Sequence, residues 1–205
     1  FLPFAFIDVG AGARGGTQLG AGTELGAALA AAANEVRDGG QSICNPGEAR
    51  VVVALLGSLL EKHGGRRGGA GIMPGGIGVI TPYARQVREL RTRLRSGQSD
   101  QCAKSQSLSA VEVNTVDGFQ GREKDIIVIS TVRSGSGGIG FVADARRMNV
   151  AITRARCACW VVGSAQALGS DANWAALVAH ARDTGAYFDA PALLRLLAVV
   201  DLELD

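Results

Sequence analysis

Three segments of this sequence place arginine, acid and hydroxyl groups where they could handle phosphate. The first is Asn149-Val150-Ala151-Ile152-Thr153-Arg154-Ala155-Arg156, preceded by Arg146-Arg147 and read as a helix over about 144–156. Arg147 and Arg154, seven positions apart, would share a face of it, and the pairs Met148/Ile152 and Ala151/Ala155 would form an apolar seam. A guanidinium grips phosphate oxygens through two parallel N–H bonds and does not lose its charge. The plainer reading is a solvated basic face. The second segment is Val113 to Asp125, in which a strand ends in polar residues, turns through Gly118 and Gly121, and passes an acid–base cluster into another strand. Ligands of open α/β sheets bind at the carboxyl ends of strands, so Thr115 and the amides beside it could hold a phosphate; an ordinary polar turn is the alternative. The third is Ile80-Thr81-Pro82-Tyr83, followed by a helix over about 83–96 carrying Arg85, Arg88, Arg91, Arg93 and Arg95. Tyr83 could stack on a base or sugar, and Arg88, Arg91 and Arg95, on one face, could track a phosphate backbone. A solvated amphipathic helix is the alternative.

Together these segments resemble a known family. VNTVDGFQGREKDIIVIS (113–130) resembles helicase motif V, RRMNVAITRAR (146–156) resembles motif VI, and IGVITPYARQV (77–87) resembles the segment called motif IV. SICNPGEARVVVALLGSLL (42–60) is similar to the stretch upstream of motif IV. The family is the superfamily 1 helicases of the senataxin and nonsense-decay branch, and the likeness covers roughly 42–170 plus the opening strand. It implies a second, C-terminal RecA-like motor domain. It makes Arg154 the arginine finger that reaches ATP bound on the other motor domain. It places Gly121 and Glu123 close to the nucleotide, with Glu123 suited to a ribose hydroxyl or to the finger itself. Gln120 would couple that edge to the strand, and Arg147 would support the cleft. Thr81, Pro82, Tyr83, Thr115 and Asp117 would lie near single-stranded RNA or DNA, moved 5′ to 3′.

The sequence departs from a complete motor. It contains no G-x-x-x-x-G-K-[ST] loop, no acidic pair after a suitable strand and no Q-Y-R-M-H-P segment. The expectation is therefore a piece of a longer protein that does not hydrolyse ATP alone. ATP with Mg²⁺ would be bound mainly by an N-terminal RecA-like domain of the same protein.

The elements that would position these residues alternate. Continuous apolar runs at 4–9, 77–81, 111–115, 126–131 and 158–163 suit strands buried on both faces, as in a parallel sheet. A helix should start at Asn45-Pro46-Gly47-Glu48, with Asn as cap, Pro in the first turn and Glu at the capping-box position. Further helices are expected over about 171–183 and 191–200. The expected fold is α/β and RecA-like, a central parallel sheet flanked by helices, without the Walker A loop. Residues 1–190 form the domain, 10–40 a Gly/Ala-rich insertion in it, and 191–205 a C-terminal helix or tail. The Gly-rich stretches 10–26, 64–76 and 134–140 read as loop or disorder, and 25–37 is helix-prone by propensity alone.

A chain of 205 residues with 47% hydrophobic residues can bury a core, and its net charge of +2 says little about nucleic acid. No apolar run approaches the roughly 20 residues of a membrane span, and Asp8 interrupts the apolar opening, which lacks the basic start of a signal peptide. The four cysteines form no C-x-x-C pair and there are only two histidines, so no metal site is expected and the thiols are read as buried in a reducing compartment, nuclear or cytoplasmic. Two rivals remain. One is a non-catalytic RecA-like module binding nucleic acid or protein. The other is a dinucleotide enzyme using Gly10-Ala11-Gly12-Ala13-Arg14-Gly15, with Glu35 for the ribose; the glycines that follow are a poor start for the helix it needs.

Overall fold

The computed structural model describes residues 2–10, 24–32, 34–37, 42–65, 71–96, 108–135 and 138–198. Six parallel strands form the central sheet: β1 (Phe4–Asp8), β4 (Ile77–Thr81), β5 (Glu112–Thr115), β6 (Lys124–Ser130), β7 (Ala155–Gly163) and β8 (Tyr187–Phe188). Their order is β5-β4-β6-β7-β1-β8, with β6 registered on β4 through Val79↔Val128 and on β7 through Val128↔Trp160. Two short strands, β2 (Val36–Arg37) and β3 (Ile43–Cys44), pair antiparallel outside that sheet.

Alternation of side chains along a strand explains why the strand sequences are apolar throughout. Ile126 and Val128 enter one core, with Ile77, Val79 and Trp160, while Ile127 and Ile129 enter another, with Ile80, Cys159 and Val161. Both sheet faces are therefore covered. The first core is roofed by α1 (Glu24–Ala31), α2 (Pro46–His63), α3 (Ala84–Ser96) and α7 (Ala190–Ala198). The second lies under α4 (Ala145–Ile152), α5 (Ala165–Leu168) and α6 (Ala172–Asp183), with Trp174 and Val178 of α6 inside it. This is the RecA-like α/β architecture, a parallel sheet flanked by helices.

The insertion expected over 10–40 contains a packed helix. Ala28, Leu29 and Ala32 are buried against α2, where a Cβ on Gly47 would stand 2.2 Å from the Ala32 nitrogen. Small side chains on both helices allow that close approach. Residues 11–23 lie outside the described residues, and with them most of the Gly10–Gly15 motif. Glu35 is 3.3 Å from the Arg133 guanidinium and 2.7 Å from that of Arg37.

The helix expected over 144–156 ends at Ile152. Thr153 turns its hydroxyl back to the Asn149 and Val150 carbonyls, and Ala155 already pairs with Lys124 as the first residue of β7. Arg154 therefore lies in the turn between helix and strand and does not share a helical face with Arg147. The run Ala155–Gly163, with its β-branched and aromatic residues, favours a strand over further helix. The thiols also differ from expectation. Cys44 and Cys159 are buried, and burial pushes Cys159 up to about 12, but Cys157 is exposed. Strand β1 pairs with β7 only from Cys159 onward, so the start of β7 runs past it. Cys102 lies outside the described residues.

Candidate functional site

The polar residues of the three segments gather at opposite ends of the sheet. At the carboxyl ends of β4 and β5, Ser42, Pro82, Tyr83, Ala84, Thr115, Val116, Asp117 and Arg147 line a pocket of about 230 Å³. Arg147, on the first turn of α4, reaches Asp117 at two points, 3.4 Å through Nε and 3.3 Å through Nη2, and lies 3.7 Å from Asp144. Asp144 caps that helix by accepting the Arg146 and Arg147 amides. Beyond β5 the polypeptide turns back toward the other end of the sheet. Asn114 accepts the Thr115 amide, and Thr115 Oγ1 accepts the Gly118 amide at 3.2 Å. The Phe119 and Gln120 amides bond to the Val116 and Asp117 carbonyls. These amides close their own turn, so the phosphate-holding role expected for them is not supported; the hydroxyl protons of Ser42 and Thr115 remain as donors, since both oxygens accept backbone amides.

At the amino ends of β6 and β7 stand Gln120, Gly121, Arg122 and Glu123, with Arg154 and Arg156 opposite. The Lys124 amide donates to the Arg154 carbonyl at 3.0 Å, which ties the two segments together. Gly121 has φ +77° with open space where a Cβ would stand, so the left-handed turn, not crowding, requires glycine. Arg154 is half-buried, its Nε donating to the Val150 carbonyl at 3.1 Å and its Nη2 to Thr153 Oγ1 at 3.3 Å. Among the described residues Nη1 carries no such bond. Glu123 pairs with Arg156 at 3.4 Å and not with Arg154. Behind them Glu112 receives Lys124 at 3.0 Å and Arg122 at closer range. Burial would raise the Glu112 carboxyl, but those two cations outweigh it and hold the group below the usual carboxylate range.

Four expectations about side chains need correction. Arg147 belongs to the carboxyl-end pocket and not to the edge that carries Gly121 and Glu123. Thr81, the last residue of β4, pairs with Thr115 of β5 and is fully buried, so its side chain offers no surface to a nucleic-acid strand. Tyr83 is 5% exposed, its ring in the second core and its hydroxyl donating to the Ile139 carbonyl at 3.4 Å; it forms a wall of the pocket and not an open stacking platform. Arg91 donates twice to the Val113 carbonyl, at 3.2 and 2.7 Å, and is thereby fastened to β5.

Beneath the pocket lies a buried polar network that sequence reasoning misses. Asn45 caps α2 by accepting the Glu48 amide, but Glu48 does not close a capping box. Its carboxylate crosses to β6, accepting the Ser130 hydroxyl at 2.6 Å and the Val132 amide at 2.9 and 3.1 Å. Gln86 of α3 takes the place at the Asn45 amide, 2.9 Å, and donates to Ser130 at 3.0 Å. Burial pushes Glu48 up to about 7, although Ser130 and the Val132 and Thr131 amides pull the other way. The one signal of this network in the sequence is Gln86, a polar residue in phase with the apolar stripe Leu90 and Leu94.

A RecA-like domain with a polar pocket at one sheet end and an arginine-bearing edge at the other defines the class of the molecule. Comparison with known proteins agrees: a family model described as an AAA domain matches residues 2–166. Helicase sen1 of Schizosaccharomyces pombe is 47% identical over 140 residues, which cover 67% of this chain and 8% of that protein. Regulator of nonsense transcripts 1 of Dictyostelium discoideum is 38% identical over 148 residues, 71% of this chain and 10% of that protein. ATP-dependent helicase upf1 of S. pombe is 37% identical over 152 residues, 74% and 15%. The chain belongs to this AAA-domain family, as a C-terminal RecA-like domain of the senataxin-like superfamily 1 helicases. It spans a small part of the length of the relatives it matches. Among the described residues no helix is long and apolar enough to cross a membrane.

Proposed function

We propose that this chain is the second motor domain of an ATP-dependent helicase and works inside the cell, in nucleus or cytoplasm. Arg154 supplies the finger, and the pocket at the ends of β4 and β5 supplies part of the single-strand surface. The observation that carries the reading is the separation of the two groups: Arg154, Gly121 and Glu123 at the amino ends of β6 and β7, and Pro82, Tyr83, Thr115, Asp117 and Arg147 at the carboxyl ends of β4 and β5. A sheet that carries a nucleotide-facing edge and a strand-facing pocket moves both as one body. ATP with Mg²⁺ would be held mainly by an N-terminal RecA-like domain, with Arg154 reaching across the cleft and Glu123 and Gln120 beside it.

The roles follow from the chemistry. Arg154 is anchored through Nε and Nη2, which fixes the plane of its guanidinium and leaves Nη1 to meet charge developing on a phosphoryl oxygen. The Ser42 and Thr115 hydroxyls can donate to phosphate, and Asp117 and Arg147 offer an acceptor and a cation beside them. The names Helicase sen1 and ATP-dependent helicase upf1 of the relatives support the reading of this chain as a helicase motor domain.

The test is strand-stimulated ATPase activity, measured on this chain and on a longer chain that adds a P-loop domain upstream. The expected result is silence from the first and RNA- or DNA-dependent turnover from the second. Silence from both, with the longer chain folded and binding ATP, would favour a non-catalytic binding module.

A further inference from the structure

Val132 follows the last strand residues of β6 and has φ +71°, the only positive φ among described non-glycine residues. A β-branched residue avoids that region, because its Cβ crowds the backbone. Something must hold it there, and Glu48 is in place: both carboxylate oxygens accept the Val132 amide, at 2.9 and 3.1 Å. The Val132 carbonyl is held as well, by Asn45 Nδ2 at 3.2 Å. The chain leaving this turn places Arg133, 4% exposed, where its guanidinium meets Glu35 at 3.3 Å and donates to the Gly138 carbonyl. The next residue, Ile139, accepts the Tyr83 hydroxyl, and Tyr83 lines the pocket with Pro82 and Thr115. Gln86, three residues beyond Tyr83, joins the same network from α3.

We infer that Glu48 is a positioning residue for the strand-end pocket, holding the left-handed turn at Val132 and through Arg133 and Ile139 the wall on which Tyr83 rests. The inference rests on the reading of that pocket as a strand site. Glu48 is fully buried and would not meet nucleic acid itself; it acts through the backbone it holds. The arrangement is unlike a simple helix cap, since the carboxylate is spent on a different element from its own.

Hydrogen exchange followed by mass spectrometry on the full chain tests the turn directly, with binding of a labelled oligouridylate measured in parallel. Glu48→Gln keeps the shape but weakens the acceptor. Faster exchange is expected across Val132–Ser134 and Gly138–Val142, by about tenfold, with β4 and α6 unchanged, and affinity should fall about fivefold, the worth of one hydrogen bond. Glycine takes this backbone conformation freely, so Val132→Gly added to Glu48→Gln should restore protection and part of the affinity. Unchanged exchange across Val132–Ser134 in Glu48→Gln would overturn the positioning role. Lost protection with unchanged affinity would instead overturn the strand reading and leave the turn-holding intact.

Discussion

Tyr83 shows how a residue's type and its exposure give different expectations. Its place after a strand end suggests stacking; its ring is in the core. Tyr83→Ala should therefore lose about 3–5 kcal/mol of stability, as for large aromatic truncations, and would confound any binding assay. Tyr83→Phe removes only the hydroxyl, which donates to the Ile139 carbonyl and is also hydrogen-bonded to Arg133, and should cost about 1–3 kcal/mol in denaturant unfolding. A loss as large as that of the Ala variant would mean the hydroxyl, not the ring, carries the wall. Glu48 gives a pH dependence. Its folded value of about 7 stands above its ordinary value of 4.5, so the folded protein binds the proton more tightly than the unfolded chain. Its contribution is fully present below about pH 4.5 and is lost as pH rises through about 7, by roughly 3 kcal/mol in all. Glu48→Gln should flatten that part of the stability curve; an unchanged slope would assign it to another group. At this scale Thr115 and Asp117, singled out in one segment of the sequence, line one pocket, but the sequence does not show that Thr81 is sealed or that Glu48 reaches β6, because both depend on which strands and helices become neighbours.

Elements are more legible than side chains. Runs such as Ile126–Ser130 are apolar at nearly every position because both faces are covered, and that pattern alone marks parallel strands. Asn45-Pro46 marks the start of α2 for a local reason, the cap and the proline. Expectation fails where packing decides. The Ala-rich helix α1 is held by its fit to Gly47, and α4 stops early because β7 claims Ala155. The fit makes a paired prediction on one helix. Gly47→Ala would drive a Cβ to 2.2 Å from the α1 backbone and should cost about 1–3 kcal/mol. Gly57→Ala, with nothing within 4 Å, should instead stabilise by roughly 0.5–1 kcal/mol. Thermal unfolding of the two variants checks this, and equal effects would show that α1 is not tightly seated on α2.

At the scale of the whole molecule, the proposed function assigns the two polar ends of one sheet to the two halves of a motor, one end toward nucleotide and the other toward a nucleic-acid strand. These 205 residues contain no P-loop, and the proposal therefore has Arg154 act on ATP held by another domain. The most direct test replaces Arg154 with alanine in the complete motor and measures steady-state ATPase rate together with ATP and single-strand affinity. A finger at Arg154 predicts a fall in turnover of about 10³-fold or more, with both affinities within about threefold of the parent. Turnover near the parental rate would contradict that role and remove Arg154 from the chemistry.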